Sequence, residues 1–233
     1  MRLIGVGVGP GDPELVTVKA VRVLREADVV VVPVMSLEDE GRAEHTVRAH
    51  VERELVRLVF ALDDPGGATE ARVRAWDAAA ETVATLEGTV AFATIGDPNV
   101  YSTFTYLAEA VRERRPDVEV ATVPGITAMQ DLAARSGTVL CEGTESLALL
   151  PLTAGLEAFD RALEHFDSVV AYKGGRRMAA VRDVIDRHGR LDEAVFGAAV
   201  GLPGEQIGAL PDTAPYLSTV LVPARRTSRG GKL

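Results

Sequence analysis

The sequence predicts an α/β protein whose first sheet is largely parallel. Short apolar runs of strand length alternate with segments of helical periodicity from the first residue onward, which is typical of βαβ units. With 47% hydrophobic and 25% charged residues, the 233-residue chain is long and apolar enough to bury a core. The pattern changes after Pro124, so we expect two domains, 1–123 and 124–224. The polar, basic, glycine-containing segment 225–233 is expected to be a disordered tail.

Strands and helices alternate through the first half. The predicted strands are Leu3–Val8, Val29–Val32, Leu55–Ala61, Val90–Thr94 and Val118–Val123. The predicted helices are Thr17–Arg25, Glu44–Glu54, Glu70–Leu86 and Thr103–Arg114. In the first helix, apolar residues recur at helical spacing, so we expect a core stripe there, made of Val18, Val21, Val23, Leu24 and Ala27.

The second half repeats the alternation over shorter elements. The predicted strands are Leu147–Leu150, Ser168–Ala171, Val195–Val200 and Thr219–Val222. The predicted helices are Leu156–His165 and Met178–Arg187. This pattern indicates a second α/β unit.

Charge and composition exclude several classes of protein. A net charge of −9 argues against a nucleic-acid binder, which needs a basic surface. Apolar runs are too short for a membrane span, and glycines begin too early for a secretory signal, so we expect a cytoplasmic protein. Cys141 is the only cysteine, which excludes an internal disulfide and a cysteine-based metal site, and we expect it to be buried. The four histidines show no ligand or triad spacing, so no protein-bound metal is expected.

The loop after the first strand, Gly5–Thr17, is rich in glycine. Gly7, Gly9 and Gly11 each permit positive φ and a close approach of the backbone to a ligand. The spacing does not fit the dinucleotide fingerprint G-x-G-x-x-G, whose last position falls on Pro10, Asp12 or Glu14. No P-loop motif is present either. A strained turn without a ligand remains the alternative.

Further loops follow later strands, and ligands of open α/β sheets bind at such strand ends. In Ala93–Thr103, Gly96 allows a tight turn and Asp97 presents a carboxylate beside the rigid Pro98, although an Asp-Pro turn that caps the next helix is an equal alternative. In Val123–Asp131, a helix begins near Thr127, and its N-terminal N–H groups suit an anion. The segments Val169–Gly175 and Ala199–Leu210 say little in isolation.

Taken together, these loops resemble the tetrapyrrole (corrin/porphyrin) methyltransferases. The order GVGxGPGDPELVTxKA, then GDPxVYST, then VPGITA carries the resemblance, which extends to about Val222. Within the family, residues 140–151 and the form GDPNVYST look most like the precorrin-methylating members. The resemblance implies two α/β domains, the second with a mixed sheet, and S-adenosylmethionine bound in a cleft between them, commonly in a homodimer.

The resemblance also assigns residues. The implied cofactor-binding residues are Pro10, Gly96, Asp97, Val100, Tyr101, Thr127, Ala128, Tyr172, Lys173, Gly201 and Leu202. Lys173 and the pair Leu202-Pro203 depart from the commoner family residues. The Gly-rich loop is the candidate substrate-binding segment, through Gly7, Gly9, Gly11 and Asp12.

Methyl transfer to carbon needs placement of the reacting atoms rather than a protein nucleophile. Tyr101, Asp97 or Asp12 is the candidate that assists proton loss. A small-molecule tetrapyrrole with many carboxylates is the implied partner, and Arg42, Arg48, Arg176 and Arg177 are candidates to bind it. A non-catalytic nucleotide-binding or assembly protein on the same fold is the alternative of another class.

Overall fold

The computed structural model describes residues 1–60 and 69–227. The chain divides into two compact units, Met1–Thr127 and Ala128–Leu233. Within the described residues, every helix is too short or too polar to cross a membrane.

The first unit contains a parallel five-stranded sheet with helices. Its strands are β1 (Arg2–Gly7), β2 (Val29–Val34), β3 (Val56–Val59), β4 (Thr89–Thr94) and β5 (Glu119–Val123). Its helices are α1 (Val18–Glu26), α2 (Arg42–Arg48), α3 (Glu70–Ala84) and α4 (Phe104–Arg114). The strand order is β3-β2-β4-β1-β5, and every pairing is parallel. A parallel sheet of this kind is buried on both faces.

The second unit contains a mixed five-stranded sheet. Its strands are β6 (Leu147–Pro151), β7 (Ser168–Tyr172), β8 (Val195–Ala198), β9 (Gln206–Gly208) and β10 (Ser218–Val222). Its helices are α5 (Ala128–Ser136), α6 (Leu156–His165) and α7 (Met178–Arg187). The order is β6-β7-β10-β8-β9, with only the β6–β7 pair parallel. The predicted fold class, one largely parallel and one mixed sheet, is confirmed.

Alternation of side chains on the strands divides the first unit's core into two layers. Ile4 and Val6 of β1 belong to one buried cluster with Leu24, whereas Leu3 belongs to another with Phe92. The predicted stripe on α1 is wrong for Val18, which is 87% exposed. Val18 lies six residues before Leu24, about 240° away around a helix. The buried face instead runs through Ala20, Leu24 and Ala27.

Two predicted elements extend too far, for different reasons. The helix predicted to reach Glu54 ends at Arg48, because the following residues bond elsewhere: the His50 ring lies 2.8 Å from the Pro13 carbonyl, and Arg53 donates to backbone carbonyls near Ala27. The strand predicted to reach Val200 ends at Ala198, since Ala199 has a φ of 49°.

Two smaller expectations also change. Cys141 is exposed, so its predicted burial is wrong. Arg225 and Arg226, the first residues of the expected tail, form ion pairs with Glu193 and Glu145, and ordered chain therefore reaches at least Arg226. The rest of that tail from residue 228, and Ala61 of a predicted strand, lie outside the described residues.

Candidate active site

The strand order of the first unit places the carboxyl ends of β4, β1 and β5 side by side. The loops after these strands are joined by backbone hydrogen bonds: Val8 N donates to Thr94 O at 2.9 Å, and Gly96 N donates to Gly9 O at 2.7 Å. Ligands of open α/β sheets bind at this edge. Three of the loops singled out from the sequence thus meet at one place.

Glycines make this close meeting possible. A Cβ atom on Gly7 would lie 2.6 Å from both Gly125 N and Gly96 O, and one on Gly125 would collide with the same Gly96 carbonyl. Real Cβ atoms do not approach backbone that closely, and backbone cannot swing aside as a side chain can. The structure therefore explains Gly7 by main-chain packing between loops.

Asp97 fastens two of these loops. One carboxylate oxygen accepts the Asn99 N–H at 2.8 Å, within its own loop. The other accepts the Gly125 N–H at 3.0 Å, in the loop after β5. The alternative in which Asp97 caps the next helix does not occur, because Phe104 N at the start of α4 bonds to Ser102 Oγ at 3.1 Å. The carboxylate positions backbone that faces the strand ends.

The other side of this loop is open. A Cβ atom on Gly96, which has a φ of 70°, would meet no atom within 4 Å. Val100 N donates to Asp97 O at 3.2 Å, closing a turn that leads to Tyr101. Tyr101 has a φ of 50°, rare for a bulky residue, and such strain concentrates at functional sites. Its ring is about half exposed, and partial burial raises the pKa of the Tyr101 phenol.

The Gly-rich loop is held from its far side. Gly9, Pro10 and Gly11 are buried. The Gly11 carbonyl accepts the hydroxyl of Thr46, a fully buried residue on α2, at 3.2 Å. Asp12 accepts the Glu14 N–H at 2.9 Å and begins a short 3-10 turn. Local sequence did not indicate Thr46, which lies far along the chain.

In the second unit, Tyr172 lies at the start of α5. Thr127 is buried and directly precedes this helix, which begins at Ala128. The Tyr172 hydroxyl accepts the Met129 N–H at 3.1 Å, satisfying one of the N–H groups that a helix start leaves without a partner. Tyr172 is 9% exposed, which makes it a structural support for the helix.

The remaining predicted residues lie in two strained turns of the second unit. Lys173 has a φ of 65°, and its N–H donates to Ser218 O at 3.0 Å. Gly201 N donates to the Glu205 carboxylate at 2.7 Å, which holds the turn that contains Leu202. Arg135 on α5 in turn pairs with Glu205 at 3.3 Å. Ser218, Glu205 and Arg135 were missed because nothing in their local sequence marks them.

Comparison with protein-family models identifies the family of this chain. The model described as Tetrapyrrole (Corrin/Porphyrin) Methylases matches residues 2–211, most of the chain. The chain belongs to the tetrapyrrole methylases.

Relatives of this tetrapyrrole methylase cover nearly its whole length. It is 35% identical to a precorrin-2 C(20)-methyltransferase of Sinorhizobium sp, over 95% of each chain. It is 32% identical to a cobalt-precorrin-2 C(20)-methyltransferase of Salmonella typhimurium, again over 95% of each chain.

Solved structures of tetrapyrrole methyltransferases have the same fold as this chain. The methyltransferase CobJ superposes with a TM-score of 0.67 at 25% identity, covering 98% of this chain and 96% of that one. A uroporphyrin-III C-methyl transferase from Thermus thermophilus, complexed with S-adenyl homocysteine, superposes with a TM-score of 0.66 at 25% identity, covering 95% and 97%. The family predicted from the loops is confirmed.

Proposed function

We propose that this tetrapyrrole methylase transfers a methyl group from S-adenosylmethionine to C20 of precorrin-2, in cobalamin biosynthesis. The observation that carries the proposal is the full-length similarity to two C20-methyltransferases, at 35% and 32% identity. Residues 140–151 resemble the precorrin-methylating members of the family. The homodimer and the cytoplasmic location stay predictions.

S-adenosylmethionine is the proposed cofactor and S-adenosyl-L-homocysteine the product. When bound, the cofactor supplies an electrophilic methyl group on a sulfonium. The loops after β4 and β5 are hydrogen-bonded to each other through Asp97 and Gly125. A side chain added at Gly96 would enter open space, so there is room for a ligand beside the main chain there. Glycine at that position lets a ligand approach the main chain.

Each unit contributes candidate cofactor residues. In the first unit these are Pro10, Gly96, Asp97, Val100, Tyr101 and Thr127. Asp97 acts by holding the loop after β4 against that after β5. In the second unit the candidates are Ala128, Tyr172, Lys173, Gly201 and Leu202. Among these, Tyr172 supports the start of α5, and Glu205 holds the turn at Gly201.

The protein's chemical task is placement, because an electron-rich tetrapyrrole carbon needs no protein nucleophile. A fixed arrangement of loops can contribute on the order of 7–11 kcal/mol to such a reaction. Tyr101 and Asp12 are the candidate proton acceptors. Gly7, Gly9, Gly11 and Asp12 remain the proposed substrate-binding segment, with Gly7 acting through the packing of the loop rather than by contact.

Incubation of the purified protein with isotopically labelled S-adenosylmethionine and metal-free precorrin-2 tests the proposal. We expect one labelled methyl group, located at C20 by NMR. Parallel incubations with precorrin-3 and with uroporphyrinogen III cover the alternatives, and a label at C17 of the first or on the second would identify a different tetrapyrrole methylase. Absence of S-adenosylmethionine binding at millimolar concentration would favour a non-catalytic protein on this fold.

Cobalt-precorrin-2 is the second candidate substrate. The relative from Salmonella typhimurium carries that substrate in its name. The identity to this relative, 32%, is close to the 35% identity to the precorrin-2 C(20)-methyltransferase of Sinorhizobium sp. Within residues 1–60 and 69–227, no group of three or more His, Cys, Asp or Glu side chains suits a metal ion. A parallel incubation with the cobalt form, compared by initial rate, separates the two substrates.

A further inference from the structure

The proposed substrate poses an electrostatic problem for this chain. A tetrapyrrole with many carboxylates is strongly anionic, and the protein has a net charge of −9. Binding therefore needs a local surface where cations outnumber acids. Residues 213–233 contain four cations and no acid, but Arg225 and Arg226 there pair with Glu193 and Glu145. Residues 168–182 also contain four cations and no acid, Lys173, Arg176, Arg177 and Arg182.

Three of these cations lie on one turn, Lys173–Arg177, which we name the basic turn. It follows the carboxyl end of β7 and leads into α7. Its first two N–H groups bond to Ser218 of β10, Lys173 N to the carbonyl at 3.0 Å and Gly174 N to the hydroxyl at 3.2 Å. A Cβ atom on Gly174 would lie 2.4 Å from the end of the Met178 side chain and 3.1 Å from Ser218 Oγ, so the turn packs closely here. The backbone of the basic turn is thus fixed, which lowers the entropic cost of binding.

The two arginines of the basic turn are exposed and lack an acidic partner. The Arg176 side chain makes no hydrogen bond or ion pair within residues 1–60 and 69–227, and the Arg177 side chain donates to one backbone carbonyl, that of Leu152, at 3.2 Å. By contrast, Arg48 pairs with Glu44, and Arg182 pairs with Asp212 at 3.0 Å.

Arg42, in the first unit, is a weaker candidate for anion binding. Its side chain also lacks a hydrogen-bonding or ionic partner among the described residues. It nevertheless closely follows the acidic run Glu38–Glu40, which disfavours an anionic ligand there. The basic turn has no such neighbour in sequence.

We propose that the basic turn binds carboxylate groups of the tetrapyrrole substrate through Arg176 and Arg177. This inference rests on the proposed function and adds a substrate-binding site to it. A guanidinium group suits the task because its planar donors match both oxygens of a carboxylate. Two arginines adjacent on a fixed turn present such donors together, as a substrate with several acidic side chains requires.

Substitution of the two arginines tests the proposal. Arg176→Gln, Arg177→Gln and the double variant keep side-chain length and remove charge. Arg187→Gln is the matched control, since Arg187 lies at the other end of α7 and pairs with Asp160 at 3.7 Å. The probe is uroporphyrin III, a fluorescent porphyrin with eight carboxylates, titrated by anisotropy. We expect each single variant to weaken binding about fivefold and the double variant by more than tenfold.

Three further readouts separate charge recognition from misfolding. The salt dependence of uroporphyrin affinity falls in the double variant, because fewer charges take part. The dissociation constant for S-adenosyl-L-homocysteine, by calorimetry, stays at the wild-type value. The KM for precorrin-2 rises by the same factor as the uroporphyrin dissociation constant.

Each outcome decides between the two proposals. If the double variant binds uroporphyrin and uses precorrin-2 as the wild type does, the basic turn is not a substrate site, while the proposed function stands. If the wild type methylates no tetrapyrrole, the proposed function fails. The uroporphyrin titration still tests whether Arg176 and Arg177 bind tetrapyrrole carboxylates. A wild-type protein that binds neither tetrapyrrole would overturn both.

Discussion

Asp97→Asn tests whether the Asp97 hydrogen bonds that join the loops after β4 and β5 support cofactor binding. The carboxylate accepts two backbone N–H groups, Asn99 N at 2.8 Å and Gly125 N at 3.0 Å. An asparagine side chain has one acceptor oxygen, so its NH₂ group would face one of these donors. Whichever way the amide is oriented, one backbone N–H loses its acceptor. The substitution keeps the volume and removes one bond and the charge.

The magnitude follows from the geometry. A hydrogen bond to a charged acceptor contributes about 1.5–3 kcal/mol when buried, and Asp97 is partly exposed, so about 1–2 kcal/mol is expected. If cofactor binding requires the fastened arrangement, an equal amount is lost from binding. We therefore expect the dissociation constant for S-adenosyl-L-homocysteine to rise about tenfold.

Calorimetric titration of S-adenosyl-L-homocysteine measures the effect, and Asp28→Asn is the matched control. Asp28 also bridges distant chain segments, accepting the Thr89 N–H at 2.7 Å, but at the amino ends of the same sheet. Both variants should lose stability, and only Asp97→Asn should lose affinity. Equal affinities in the wild type, Asp97→Asn and Asp28→Asn would refute a role of Asp97 in the cofactor site.

Three further perturbations have defined outcomes. Burial alone would raise the pKa of Glu44, but hydrogen bonds from Arg57 and Arg48 outweigh it and hold that pKa below its usual value. This stabilisation is present above about pH 4.3, the unfolded pKa, and is lost as the pH falls through the folded pKa. Glu44→Gln should therefore lower the unfolding free energy by about 2–3 kcal/mol at pH 7 and by less as the pH falls below about 4 in urea titrations; an equal loss at every pH would contradict this. Gly7→Ala should prevent folding or S-adenosyl-L-homocysteine binding, because the added Cβ atom would collide with main-chain atoms. Gly137→Ala, at a φ of 67° with open space around it, should cost about 1 kcal/mol of stability in thermal unfolding. Similar melting temperatures of the two variants would count against main-chain packing at Gly7. Tyr101→Phe should lower kcat at least tenfold if the phenol assists proton loss, and an unchanged kcat would remove Tyr101 from that role.

Periodicity predicted the elements that depend on local pattern. The strand at Arg2–Gly7 and the helix at Phe104–Arg114 were both found this way, because their apolar spacing reflects burial. The end of α2 was not found, since contacts of His50 and Arg53 with distant backbone decide it. The short strand β9, Gln206–Gly208, contains one apolar residue, Ile207, which is too few to show an alternating pattern.

In the candidate site, too, features set by local sequence were predicted and features set by distant contacts were not. Glycine-rich loops after strands were visible in the sequence, and parallel strands necessarily bring such loops to one edge. The specific partners were not visible: Gly7 meets Gly125, Gly11 meets Thr46, and the basic turn meets Ser218. Each partner lies far along the chain, so only tertiary structure reveals the contact.

The meeting of Gly7, Gly96 and Gly125 limits how this scaffold can diversify. Its contacts are made by main-chain atoms, which every amino acid shares, and a larger residue at Gly7 or Gly125 would enter occupied space. A library that randomises these positions should return glycine almost exclusively. New tetrapyrrole specificities are better sought where side chains vary without disturbing the backbone, and exposed positions such as Arg176 offer that freedom.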